Sequence, residues 1–76
     1  METRIKDVMA AILGLDAAGI GPHTTAQAVE SWDSLNQMNL AIALEGAFSI
    51  EIPVEDILLL TSYAAVVEVV RRQVAG

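Results

Sequence analysis

The sequence predicts an all-α fold, a small four-helix bundle of three longer helices and a short third one, with a long first loop. Three observations carry this. Apolar residues recur at helical spacing in three separate stretches. The one β-branched run, Val66 to Val70, keeps helical spacing and has no second strand to pair with. Turn-forming and helix-breaking residues gather in one segment, Leu15 to Ser31.

The first helix runs from about Arg4 to Leu13, with Ile5, Val8, Met9, Ile12 and Leu13 on one face. Thr3 is its candidate N-cap and Gly14 its stop. Arg4, Lys6 and Asp7 fall off the apolar stripe. In the loop that follows, Gly19, Gly21 and Pro22 break regular structure, and Asp16, Thr24 and Thr25 favour turns. A loop of this length needs anchors in a compact domain. Leu15, Ile20, Ala26, Ala28 and Val29 are the apolar candidates, and Trp32 is expected to pack the loop's end against the second helix.

The second helix spans Ser34 to Phe48. Asp33 suits its N-cap, since a carboxylate accepts from the free N–H groups of the first turn and complements the helix dipole. Leu40, Ala43, Leu44, Ala47 and Phe48 form one apolar row, assigned to the core. Leu35, Met38 and Ile42 form a second row. The two together are wider than a surface helix buries, so the Leu35 row is expected to face outward toward partners, with a broader core contact as the alternative. Flexible Met38 suits a surface that meets several partners.

Ser49 to Pro53 is a short link containing Ile50 and Ile52, and Pro53 suits the first position of a helix. The third helix is expected over Val54 to Leu60, with Glu55 and Asp56 in its first turn. Ile57, Leu58, Leu59 and Leu60 exceed what one face of a short helix can bury. Thr61 or Ser62 caps the fourth helix, whose stripe is Tyr63, Val66, Val67 and Val70 and whose later part holds Arg71 and Arg72.

The bulk numbers fit one domain over residues 1–76. With 76 residues, 54% apolar and 18% charged, the chain is neither disordered nor large. Its only aromatics are Trp32, Phe48 and Tyr63, so aliphatic residues and alanine must build the core. The net charge of −6 argues against nucleic acid and for basic protein partners. The absence of cysteine excludes disulfides, thiolate catalysis and cysteine zinc sites. No stretch approaches the ~20 apolar residues of a membrane span, and the start lacks a signal-peptide pattern. A cytoplasmic monomer is the expectation.

Enzymatic chemistry finds little support. His23 is the only histidine, beside Pro22 in the loop, and a lone loop histidine is ordinarily a solvated residue. Glu51, Glu55 and Asp56 lack the spacing of a calcium loop. No metal site and no Gly-rich phosphate loop is expected. Ser34 stands out instead. As first residue of a capped helix at a loop's end, its hydroxyl is within reach of another molecule and near N–H donors that favour phosphate.

Asp33-Ser34-Leu35, then Leu40, Ala43-Leu44-Glu45, Phe48, Ile50-Glu51-Ile52-Pro53 and Glu55-Asp56, resembles an acyl carrier protein. The match runs from about Trp32 to Val70, with weaker similarity in the first helix. The resemblance implies that Ser34 is joined by a phosphodiester to 4′-phosphopantetheine, taken from coenzyme A by a phosphopantetheinyl transferase with magnesium. The arm's thiol then holds an acyl group as a thioester, supplying the reactive thiol that a chain without cysteine lacks. It further implies that Asp33 helps place the metal during transfer. Leu35, Met38 and Ile42 would meet partner enzymes such as an acyl-loading enzyme, ketosynthase or acyltransferase, aided by the acids Glu55 and Asp56. Leu40, Leu44, Phe48, Leu60 and Tyr63 would surround the space that shelters an acyl chain.

One departure shapes the expected pathway. Carriers of fatty acid synthesis usually have a strongly acidic second helix, whereas here Glu45 is its only charge, and Asn39, Gly46 and Ala47 stand where acids are common. A carrier in a specialised polyketide or lipid pathway is therefore expected over housekeeping fatty acid synthesis. The alternatives are an aminoacyl or peptidyl carrier, and an unmodified helical module that binds a partner's helix through the Leu35 row.

Overall fold

The computed structural model of the chain describes residues 1–75. Four helices follow in order: α1 (Glu2–Leu13), α2 (Ser34–Phe48), α3 (Val54–Ile57) and α4 (Tyr63–Ala75), with a short 3-10 turn over Ala17–Gly19 in the first loop. The all-helical bundle and its long first loop are those the sequence predicts.

α1 buries Ile5, Met9 and Leu13 and ends at Gly14, whose φ of 69° is the left-handed conformation that glycine adopts without strain. The helix begins earlier than its capping residues suggest. Met1 occupies the N-cap position and Thr3 lies inside the first turn, where no side-chain cap is made. α2 keeps the expected bounds, but its buried residues are Leu40, Ala41 and Leu44. Ala43, Ala47 and Phe48 are half-buried. Because α2 is apolar nearly all round, periodicity alone could not point to the buried side. α4 buries Tyr63, Val66, Val69 and Val70, with Val67 half-buried.

Polar anchors hold the first loop in place. Ala26 N donates to Thr61 O at 2.8 Å and Tyr63 N to Thr24 O at 2.9 Å, joining the loop to the start of α4. The buried Thr24 hydroxyl accepts from Gly21 N at 3.0 Å, and the Ser31 hydroxyl donates to Leu13 O at 2.7 Å. Apolar anchors add to these. Ile20 and Trp32 are buried, and Leu15, Ala26 and Val29 pack against the core. Ala28, also expected as an anchor, is exposed, lying in the turn that its amide closes on Thr25.

α3 is a single turn, shorter than the stretch Val54 to Leu60 expected for it, and Pro53 sits at its N-cap position rather than inside it. The backbone continues as turns through Leu58 and Leu59. Leu60 then points inward and is fully buried, while Leu58 and Leu59 are exposed. Ser62 caps α4, its Oγ accepting from Ala65 N at 3.0 Å.

The cations of the chain are all engaged with neighbours. The Arg4 guanidinium lies 6.0 Å from the centre of the Phe48 ring and the Lys6 ammonium 5.5 Å from that of Tyr63. Arg71 pairs with Glu2 and Arg72 with Glu68, each at 3.9 Å. These exposed pairs add little stability, and the net charge of the chain stays at −6.

Candidate functional site

The start of α2 is built from three consecutive residues with different tasks. Trp32 is buried and seats the loop end against the core. Asp33 is exposed and extended, and its Oδ1 accepts from Asn36 N at 2.9 Å, closing the first turn. Ser34 is the first helical residue and is exposed. The first intrahelical bond runs from Gln37 N to Asp33 O at 2.8 Å. The amides of Ser34 and Leu35 therefore have no acceptor among the described residues. A phosphate ester on the Ser34 hydroxyl would lie beside these two donors and the positive end of α2. An attached phosphate thus fits the residues present.

Sequence reasoning missed Asn36 and Gln37, whose side chains fix this corner. Asn36 Nδ2 donates to Ser31 O at 2.7 Å and ties the loop to the first turn. Gln37 Nε2 donates to Ile57 O at 2.7 Å and ties α2 to α3. Neither position carries a local signal, because each bond spans to a segment the sequence alone does not place nearby.

The Leu35 row faces outward as expected. Leu35 is 70% exposed, Met38 47% and Ile42 59%. Val54, Leu58 and Leu59 on and after α3 are also exposed apolar residues, and Gln37 ties the end of α3 to α2. Glu55 is exposed, whereas Asp56 is half-buried and accepts from Gln73 at 3.4 Å. The one charge of α2 is turned inward: Glu45 Oε2 accepts from Ile52 N at 2.8 Å. What α2 presents outward is consequently uncharged.

Leu40, Leu44 and Leu60 are fully buried, Tyr63 nearly so, and Phe48 is half-buried against them. Burial pushes the Tyr63 phenol up to about 12, assisted by its hydrogen bond to Glu2 Oε1 at 2.8 Å and by the charge of Glu2. His23 is exposed and donates from Nε2 to Gly19 O at 3.1 Å, within its own loop. Among the described residues, no group of three or more histidine, cysteine or acidic side chains could hold a metal ion, and no helix is long and apolar enough to cross a membrane.

Comparison with known proteins agrees with this geometry. The family profile described as "Phosphopantetheine attachment site" matches residues 3–70. An acyl carrier protein of Syntrophobacter fumaroxidans is 41% identical over 56 residues, which cover 74% of this chain and 69% of that relative. With an exposed serine opening α2 inside the matched region, the chain belongs to the acyl carrier protein family, whose cofactor is covalently bound 4′-phosphopantetheine.

Proposed function

We propose that Ser34 is the attachment residue and that the chain, as a single carrier domain, presents acyl thioesters to the enzymes of a specialised polyketide-type or lipid-type pathway. The observation that carries the attachment is the exposure of Ser34 beside two free amides at the start of α2. The prosthetic arm supplies the thiol that bears the acyl group; the chain's residues present it and dock the enzymes. Asp33 holds the first turn open to solvent and stands next to the hydroxyl, a suitable position for the transferase's magnesium.

The pathway reading rests on the docking face. Leu35, Met38 and Ile42 offer apolar contact with no acid among them, and Glu55 adds charge only at the edge. Such a face suits partner enzymes with apolar docking surfaces better than strongly basic ones. The closed packing of Leu40, Leu44, Leu60 and Tyr63 means that a long acyl chain would enter there only if α3 moved away from α2. A cytoplasmic setting, where a phosphopantetheinyl transferase and coenzyme A are at hand, completes the proposal.

The test is intact mass after incubation with a phosphopantetheinyl transferase, magnesium and coenzyme A. The wild type should gain one phosphopantetheine, and Ser34→Ala should gain none. An unmodified wild type across several transferases would favour the helical interaction module instead.

A further inference from the structure

Gly46 is a glycine that the chain's own fold does not require. It lies inside α2 and, unlike Gly14, does not take a positive φ. It is exposed. Its own helix backbone and chain neighbours aside, no atom of the described residues lies within 4 Å of a Cβ built there. Alanine would therefore fit, and glycine costs α2 about 0.5–1 kcal/mol in helix propensity. The other use of a missing Cβ is close approach by a different molecule. The position of Gly46 on the helix agrees with that use. At about 100° per residue, Ile42 and Gly46 both lie within about 20° of Leu35 around α2, Asn39 within about 40° and Met38 within about 60°. Leu35, Met38, Asn39, Ile42 and Gly46 are all exposed and uncharged. They form one stripe about 16 Å long, and Gly46 is its far end. Glu45 adds no free carboxylate to it, since its Oε2 accepts from Ile52 N at 2.8 Å.

Resting on the carrier reading, we propose that Gly46 determines specificity toward the phosphopantetheinyl transferase, by opening a hole in α2 for an apolar side chain on a helix of that enzyme. Residues at i, i+3, i+4 and i+7 of a helix frame such a hole. Asn39, Ile42, Ala43 and Gly46 have this spacing, and two of the four are alanine and glycine. Asn39 leans away from the hole, its Nδ2 donating to Asn36 Oδ1 at 3.2 Å, one turn nearer Ser34. The chemistry selects the occupant. Enzymes that act on the cargo meet the end of a long arm, but the transferase must touch Ser34 itself. There an O–P bond forms between the Ser34 oxygen and coenzyme A. The bridging P–O bond of the pyrophosphate breaks, adenosine 3′,5′-bisphosphate leaves, and the serine proton passes to a base of the transferase. The transferase therefore sits over the start of α2. A footprint of about 800 Å² per partner reaches well past the ~18 Å that separate Ser34 from Gly46 along the helix. The stripe carries no charge, so the matching surface is apolar and uncharged.

The experiment measures loading kinetics with coenzyme A, magnesium and whichever of several transferases loads the wild type most efficiently. The proteins compared are wild type, Gly46→Ala and Gly46→Glu. Gly46 is exposed with open space around it, so both variants keep the fold. Urea titration should find Gly46→Ala more stable than wild type, which separates a lost contact from a lost fold. Gly46→Ala should raise the KM for the carrier about fivefold, because a methyl group overfills the hole. Gly46→Glu should raise it more than about tenfold, because a carboxylate would be buried against an apolar surface. In both, kcat should be kept, since the reacting hydroxyl is untouched. A wild type that no transferase loads would remove the carrier reading and this proposal with it. A wild type that loads, with KM unchanged in both variants or lowered by Gly46→Glu, would overturn this proposal alone. A lowered KM would mean that a basic surface meets α2 at this position.

Discussion

Trp32 is 4% exposed, and its indole Nε1 is buried without a hydrogen-bond partner among the described residues. An unpaired buried donor costs about 1–3 kcal/mol, so the ring is retained for volume rather than for its N–H. Trp32→Phe should then change stability by less than about 1.5 kcal/mol, whereas Trp32→Ala should lose about 3–5 kcal/mol, enough to unfold much of a domain this small. Urea titrations followed by circular dichroism separate the two. Tyr63 makes a second residue-scale prediction. Its folded pKa of about 12 lies above the ordinary phenol value of 10.0, so between those values the folded chain keeps a proton that the unfolded chain has lost. Its contribution is complete below pH 10 and fades toward pH 12. Tyr63→Phe should flatten that part of the alkaline stability profile; an unchanged slope would remove Tyr63 as its source. Neither effect was legible beforehand, because the sequence shows an aromatic residue but not the burial around its polar atom.

Among the elements, the helices with a clear apolar stripe were the most legible. α1 and α4 each bury most of the residues that their spacing selects, and the missing Val69 lies beside the predicted face. α2 was legible in extent, through Asp33 and the end of its apolar run, but not in orientation, which tertiary packing chose. Gly46 shows slack in this helix. No atom lies within 4 Å of a Cβ added there, so Gly46→Ala should raise stability by about 0.5–1 kcal/mol through helix propensity, read as a higher urea midpoint at unchanged slope. α3 was overextended by its run of apolar residues, because the chain turns after Ile57 and divides that run between core and solvent. Leu58 is 70% exposed, so Leu58→Glu should move stability by no more than about 0.5 kcal/mol. If the face beside α2 receives an enzyme, the same change should raise the KM of a ketosynthase or acyltransferase for the loaded carrier, with kcat kept.

At the scale of the whole molecule, the four cations lie against rings or acids of the same chain and the net charge is −6, while the exposed Leu35, Met38 and Ile42 carry no charge. The family and its attachment region were legible because short-range patterns encode them: a cap, a serine and an ordered apolar spacing. The tie between the first loop and the end of α1 was not, since it depends on Ser31 reaching back eighteen residues to Leu13, a separation no local pattern reports. The joint after α2 has a consequence of its own. α2 ends at Ser49 with φ 55°, the same left-handed reversal that Gly14 makes after α1, and a side chain there costs about 1–2 kcal/mol that glycine would avoid. The elbow between α2 and α3 thus carries a local backbone cost that a residue without a Cβ would not bear. Ser49→Gly should relieve it and raise the urea midpoint, unless the added freedom of the unfolded chain offsets the gain.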